Sequence, residues 1–86
     1  MRQTTSRKAD AMPHVIVKMY PGRSEEVKVR LAKAIVEDLK AIVQCADESV
    51  SVAIVDVPAS RWTETVYEPD IVHCPGKLYK KPGYAP

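Results

Sequence analysis

The feature that most constrains this chain is a strand, a long helix and a second strand in close succession. The first strand is predicted in the segment HVIVKMY, which begins at His14 and is rich in β-branched residues. Val15 and Val17 fall on one face and Ile16 on the other, a pattern typical of a strand buried on both faces. Pro21-Gly22 ends the segment.

The helix is predicted from about Glu25 to about Gln44. Ser24 is a suitable N-cap, and Glu25 and Glu26 place negative charge in the first turn, where the helix dipole favours it. Apolar residues then recur at helical spacing: Val27, Leu31, Ala34, Ile35, Leu39 and Ile42.

A second strand is predicted in SVSVAIVDV, residues 49–57. A strand, a helix and a strand in this order form a βαβ unit of the α/β class, with parallel strands and a right-handed crossover. Two strands and one helix leave a sheet face and sheet edges uncovered, and a chain of 86 residues buries little surface. We therefore expect a homo-oligomer in which the strands of a partner subunit complete a four-stranded sheet.

The ends of the chain differ from this unit. Residues 1–12 are polar, without apolar periodicity, and are predicted to be a disordered extension or to reflect a start assigned too early; residues 13–86 are predicted to be a single domain. A short helix is predicted for Ser60–Tyr67, with Trp62 and Val66 on one face. The four prolines from Pro69 onward disfavour an ordinary helix, so HCPGKLYKKPGYAP is predicted to be a turn-rich arm that docks through Leu78, Tyr79 and Tyr84.

Charge and cysteine usage argue against several classes of protein. The net charge of +2 arises in residues 1–11, and the rest of the chain has ten basic and ten acidic residues, so a basic nucleic-acid-binding face is not expected. The chain has two cysteines, Cys45 and Cys74, and no signal peptide, which favours a reducing cytoplasm. His73 with these cysteines does not form a metal-ligand spacing, and no transmembrane segment is present.

The pair Met12-Pro13 is the main candidate for chemistry. A proline at the start of a strand is common, because no ladder donor is lost there. If translation starts at Met12, or the preceding residues are cut off, Pro13 becomes an N-terminal secondary amine. Terminal amines have a pKa of about 8, which burial or a nearby cation lowers. Such an amine can abstract a proton near neutral pH.

These features together resemble the 4-oxalocrotonate tautomerase family. The likeness lies in Met-Pro followed by HVIVKMYPGRSEE, one amphipathic helix and SVSVAIVDV; TVYEPDIV and LYKKPGY resemble a bacterial branch with a longer C-terminal segment. The resemblance covers about residues 12–86. It implies that Pro13 moves a proton between carbon and oxygen of an enol acid, that Arg23 binds the substrate carboxylate, and that Trp62 lines a pocket built between subunits. It implies no metal and no organic cofactor.

One departure from the family pattern affects the expected substrate. The second arginine of the hexameric members falls on Ser51, which can donate one hydrogen bond but carries no charge. This favours small 2-hydroxy or 2-oxo mono-acids over dicarboxylates. Arg61 or Lys77, from nearby loops, is a candidate to take the place of the missing second arginine. His14 is expected to point away from Pro13 and to be structural. The longer C-terminal segment favours a dimer over a trimer of dimers.

Two alternatives remain open from the sequence. One is a hydrolytic dehalogenase of the same superfamily, which needs a carboxylate to activate water, for which Glu64 or Glu68 is a candidate. The other is a non-catalytic oligomeric module, because Pro13 is a tertiary amide and no base if the residues before it stay attached.

Overall fold

The computed structural model describes residues 11–86, and the predicted extension lies largely outside them. The strands are β1 (His14–Met19) and β2 (Ser51–Asp56), separated by the helix α1 (Glu25–Ile42). A π-helix follows at Thr63–Val72. Short 3₁₀ turns lie at Asp47–Ser49, Ala59–Arg61 and Pro75–Lys77. This order confirms the predicted βαβ arrangement.

The strands β1 and β2 are neighbours in one two-stranded sheet. At one end of the pair, the Ser51 N–H donates to the Pro13 carbonyl at 3.1 Å. At the other end, the Val57 N–H donates to the Met19 carbonyl at 2.9 Å. Because the first residues of both strands meet, and so do the last, the strands run parallel as predicted.

The helix α1 starts where the sequence predicts. The Ser24 hydroxyl accepts a hydrogen bond from the Val27 N–H at 3.2 Å and so caps the first turn. Gln44 has a left-handed φ of 65°, and the N–H groups of Val43 and Gln44 both donate to the Leu39 carbonyl. This left-handed ending stops the helix at Ile42, two residues before the predicted end.

Lys40 connects the last turn of α1 to the segment that follows it. Its ammonium group lies 3.2 Å from a Glu37 carboxylate oxygen and 3.4 Å from one of Asp47. The hydrogen bond to Glu37 raises the pKa of Lys40 above the ordinary lysine value, and Asp47 acts in the same direction. Cys45 is buried close by, as expected of a packing residue, with its thiol 3.6 Å from the Leu39 carbonyl.

One face of the sheet is open in the single chain. His14 and Ser51 share a face, since their side chains are hydrogen bonded, so Val52 and Ile54 lie on the other. Open clefts between α1 and β2 are lined by Val52 and Ile54, which places α1 on that second face. Ile16 belongs to the first face and is 52% exposed. The expectation of burial on both faces therefore does not hold within one chain, because α1 covers only one of them.

The chain divides into two compact units. One contains the described residues up to Val17 together with Gly22–Val55; the other contains Lys18–Pro21 and Asp56–Pro86. In the second unit Val57 and Val66 are buried, and Lys18 forms an ion pair with Asp70 at 2.6 Å.

The helix of the second unit differs from the prediction. A short helix was expected over Ser60–Tyr67, but the structure has a 3₁₀ turn followed by a ten-residue π-helix that includes Pro69. The π-helix ends with the His73 N–H on the Glu68 carbonyl, five residues earlier, at 3.1 Å. A helix is therefore present in the predicted region, but it extends to Val72 rather than Tyr67, and its π type was not predicted. In an α-helix, the ring of Pro69 would clash with the carbonyl four residues earlier.

The C-terminal arm docks through two of the three residues predicted to do so. Leu78 is half-buried, and Tyr84 contacts Trp62 and Tyr67. Tyr79 is 99% exposed, so its predicted docking is wrong within the chain. Neighbouring residues of the arm cannot all face the same surface, and Tyr79 faces solvent.

Within the described residues, none of the helices combines the length and the apolar character needed to cross a bilayer.

Candidate active site

Pro13 lies immediately before β1 and is half-buried. Its carbonyl oxygen accepts the first hydrogen bond from β2, at Ser51. Its nitrogen has no hydrogen to donate, so the sheet does not use it. Met12, the residue before it, is 66% exposed and has a left-handed φ of 43°, which is unfavourable for a residue with a side chain.

Ser51 and His14 form a pair beside Pro13. The Nδ1 atom of His14 lies 2.7 Å from the Ser51 hydroxyl oxygen, and both side chains are exposed. The backbone of Ser51 also holds Pro13, so these three residues meet at the paired start of the two strands. His14, expected to be structural, is thus hydrogen bonded to the hydroxyl of the predicted substrate-binding residue Ser51.

Arg23 lies in the turn between β1 and α1. The preceding residue, Gly22, has φ of 126°, a backbone conformation that residues with a side chain rarely adopt, and open space surrounds it. The following residue, Ser24, caps α1. Arg23 is exposed, and no hydrogen bond or ion pair among residues 11–86 engages its guanidinium group. The group is therefore available to bind an anion.

Trp62 belongs to a cluster of aromatic side chains. Its indole N–H donates to the Tyr84 hydroxyl oxygen at 3.0 Å. The ring of Tyr20 meets the indole edge to face, with centroids 5.1 Å apart and an interplanar angle of 85°. Tyr67 packs against Tyr84 with centroids 5.7 Å apart. Three tyrosines therefore surround or support the one tryptophan of the chain.

The charged residues proposed as alternatives are mostly paired. Arg61 forms an ion pair with Glu64, and the His73 imidazole lies 3.2 Å from a Glu68 carboxylate oxygen. These contacts pair both Glu64 and Glu68, either of which is a candidate for the one carboxylate that the dehalogenase alternative needs. They also occupy Arg61, one of the two possible replacements for the second arginine. The other, Lys77, is exposed.

A metal centre has no support in the part of the chain that the structure describes. There, His, Cys, Asp and Glu side chains do not gather in any group of three or more that could hold an ion. Cys45 and Cys74 are both free thiols.

Comparison with known proteins identifies the family. A parallel βαβ unit preceded by a proline is the architecture described above, and residues 13–64 match the family model described as "Tautomerase enzyme". The match begins at Pro13 and covers more than half of the chain. The chain therefore belongs to the tautomerase family, as the resemblance predicted, and its class is that of tautomerase-type isomerases.

Curated relatives cover most of the chain. A "Probable tautomerase" of Xylella fastidiosa (strain 9a5c) is 41% identical over 73 residues, spanning 85% of this chain and 89% of the relative. "Tautomerase PptA" of Pectobacterium carotovorum subsp. carotovorum (strain PC1) is 42% identical over 79 residues, spanning 86% of this chain and 99% of the relative. "Tautomerase PptA" of Pectobacterium atrosepticum is 39% identical over the same length.

Two contacts of the predicted site residues were not predicted from the sequence. The His14–Ser51 contact joins residues 37 positions apart, and only the register of the two strands reveals it. The Trp62–Tyr84 contact joins residues 22 positions apart. The aromatic residues of the arm gave a signal for docking, but not for the surface on which they dock.

Proposed function

We propose that this chain is a cofactor-independent keto–enol tautomerase of small conjugated 2-hydroxy or 2-oxo mono-acids. Pro13, freed as the N-terminus, is the proposed general base and acid. The observation that carries this proposal is the location of Pro13: its carbonyl pairs with Ser51, whereas its nitrogen is not used by the sheet. The family match that begins at the same residue supports it.

In the proposed reaction, the lone pair of the Pro13 amine takes the proton of the enol hydroxyl. The carbonyl forms as the carbon–carbon double bond moves its electrons to the neighbouring carbon, and that carbon receives the proton from the Pro13 ammonium. The reverse sequence converts the keto acid into the enol. One proton moves within the substrate, so neither a metal nor an electron carrier takes part.

Arg23 is the proposed carboxylate ligand. Its guanidinium group is exposed and has no partner among residues 11–86, and a planar guanidinium can hold a carboxylate with two hydrogen bonds. Its charge would also stabilise the enolate that develops in the transition state. Ser51 supplies a hydroxyl rather than a second charge, which supports a substrate with one carboxylate.

Trp62 is proposed to form the apolar wall of the pocket, and a homo-oligomer, most simply a dimer, is proposed to complete it. The open sheet face at Ile16, together with exposed Val29 and Ile42 on α1, supports self-association, since such apolar surface is costly to leave in water. Free thiols at Cys45 and Cys74 support a cytoplasmic location.

The direct test compares Pro13→Ala with the wild type, both produced so that residue 13 is the N-terminus, in ketonisation of phenylenolpyruvate. The variant should lose kcat, because alanine replaces the rigid secondary amine with a more mobile primary amine. The full loss of about 100-fold or more, the factor that a general base contributes, is expected where the nitrogen of residue 13 is an amide. Arg23→Ala should raise KM, because the carboxylate loses its ligand, and should also lower kcat, because the enolate charge is no longer stabilised. Arg23→Lys should restore part of both losses. Undiminished turnover of Pro13→Ala would contradict a role for the secondary amine of proline, and undiminished turnover of the form that begins at Met1 would exclude the proposed base.

The form that begins at Met1 is the matched control. It contains every side chain of the site, but its Pro13 nitrogen is an amide, so it should be inactive. Intact-mass measurement of protein made from the native gene identifies which form exists. A mature chain that keeps residues 1–12 favours the non-catalytic module, and halide release from a haloacrylate favours the dehalogenase.

A further inference from the structure

The indole of Trp62 has two aromatic partners, one in contact with its ring and one hydrogen bonded to its nitrogen. Tyr20 meets it edge to face at 5.1 Å, and the indole N–H donates to the Tyr84 hydroxyl at 3.0 Å. A T-shaped contact fixes the distance between two rings but permits rotation within the ring plane. The hydrogen bond removes that freedom, because it is directional and ends on a single atom.

Tyr84 is itself held in place. Its ring packs against Tyr67, a residue of the π-helix, at 5.7 Å and an angle of 42°. Pro82, two residues earlier, is half-buried and lines the same small cleft as Tyr67 and Tyr84. The hydroxyl group that accepts from Trp62 is thus presented by an anchored ring, although Tyr84 belongs to the last turn-rich segment of the chain.

We infer that Tyr84 is a positioning residue of the substrate pocket: it fixes the orientation of the Trp62 indole and so makes the C-terminal arm part of the site. This inference rests on the proposed function, in which Trp62 lines the pocket. Tyr84 acts through Trp62 rather than on the substrate. The arm contributes to the site through Tyr84, whereas Tyr79 of the same arm is 99% exposed.

The contact can be tested without any substrate, because the chain has one tryptophan and therefore one indole N–H resonance. Tyr84→Phe keeps the ring but removes the acceptor. In ¹H–¹⁵N spectra the indole resonance should shift and its hydrogen should exchange faster with solvent. Tyr79→Phe removes an equivalent hydroxyl from the same arm and should leave the resonance in place. An unmoved resonance in Tyr84→Phe overturns the inference.

The role in the site is tested by kinetics on the chain with Pro13 at its N-terminus. Tyr84→Phe should raise KM for phenylenolpyruvate about 3- to 10-fold, the factor expected for one lost hydrogen bond, with little change in kcat. In a Trp62→Phe background, the same substitution should have no further effect on KM. An additive effect would show that Tyr84 acts by another route and would overturn the inference.

The two possible failures are distinguishable. If wild-type protein with a free Pro13 does not turn over, the proposed function fails and the role of Tyr84 in a substrate pocket fails with it. If wild-type protein is active but Tyr84→Phe shifts the resonance without changing KM, only the inference fails: the arm would then hold Trp62 for structural reasons alone.

Discussion

The helix α1 and the π-helix are stabilised in different ways. Helix α1 begins with a capping Ser24, has two glutamates in its first turn and contains no buried residue. The π-helix has no side-chain cap, includes Pro69 and buries Val66. It is held from outside by the ion pair from Lys18 to Asp70. Helix α1 is thus specified by residues in and next to it, whereas the π-helix depends on residues distant in sequence.

This difference has consequences for mutations. Substitutions in α1 should change the free energy of unfolding by as much as the loss of a helix cap does. Substitutions in the π-helix should change it by as much as the loss of buried packing does. Stabilities are best compared at one fixed protein concentration, because self-association would add to the apparent value.

The largest effect is expected from Val66→Ala in the π-helix. Val66 is 6% exposed, and the substitution removes two buried methyl groups, so the free energy of unfolding should fall by about 2 kcal/mol. Val29→Ala in α1 is the matched control: Val29 is 45% exposed, and the loss should stay below about 0.5 kcal/mol. Urea denaturation measures both, and equal losses would contradict the contrast between the helices.

An intermediate effect is expected from Ser24→Ala. Loss of the hydroxyl that accepts from Val27 should cost about 1 kcal/mol, whereas Ser24→Gly should cost only a few tenths. Ser60→Ala is the control beside the π-helix, where no side-chain cap exists, and should be near neutral. Hydrogen exchange should show faster opening of the first turn of α1 in Ser24→Ala; unchanged protection there would argue against local specification.

The smallest effect is expected from Lys18→Met. The Lys18–Asp70 pair is partly exposed, so its loss should cost about 0.5 kcal/mol. A double-mutant cycle with Asp70→Asn isolates the coupling energy, which should shrink at high salt. A coupling energy that does not respond to salt would mean that Lys18 stabilises the π-helix through packing of its aliphatic chain instead.

The same contrast explains what the sequence could predict. Helix α1 was predictable because Ser24, the first-turn glutamates and the apolar spacing all lie within a short segment, and only its end was missed, since the left-handed Gln44 carries no strong signal. The strands were predictable from their short runs of apolar, β-branched residues. The type of the second helix was not predictable. A π-helix has hydrogen bonds between residues five apart, whereas the apolar spacing in a sequence is compared with the period of an α-helix.

The candidate site likewise contains residues that could be predicted from the sequence and contacts that could not. Pro13 was predicted from the Met12-Pro13 pair and from the family resemblance, and Arg23 and Trp62 from the resemblance. Their locations beside β1, α1 and the π-helix follow from the chain order. The partners of Ser51 and Trp62 were not predictable. His14 contacts Ser51 because of the register of the two strands, and Tyr84 contacts Trp62 because the arm docks there. Neither the register nor the docking surface can be predicted from a short segment of sequence.

The carbonyl-only pairing of Pro13 separates folding from reactivity. Cleavage after Met12 would break no hydrogen bond between β1 and β2, because the Ser51 N–H contacts the carbonyl side of Pro13, yet it would convert an inert amide nitrogen into a basic amine. The change from an inert to a basic nitrogen would therefore require no change in the pairing of β1 with β2.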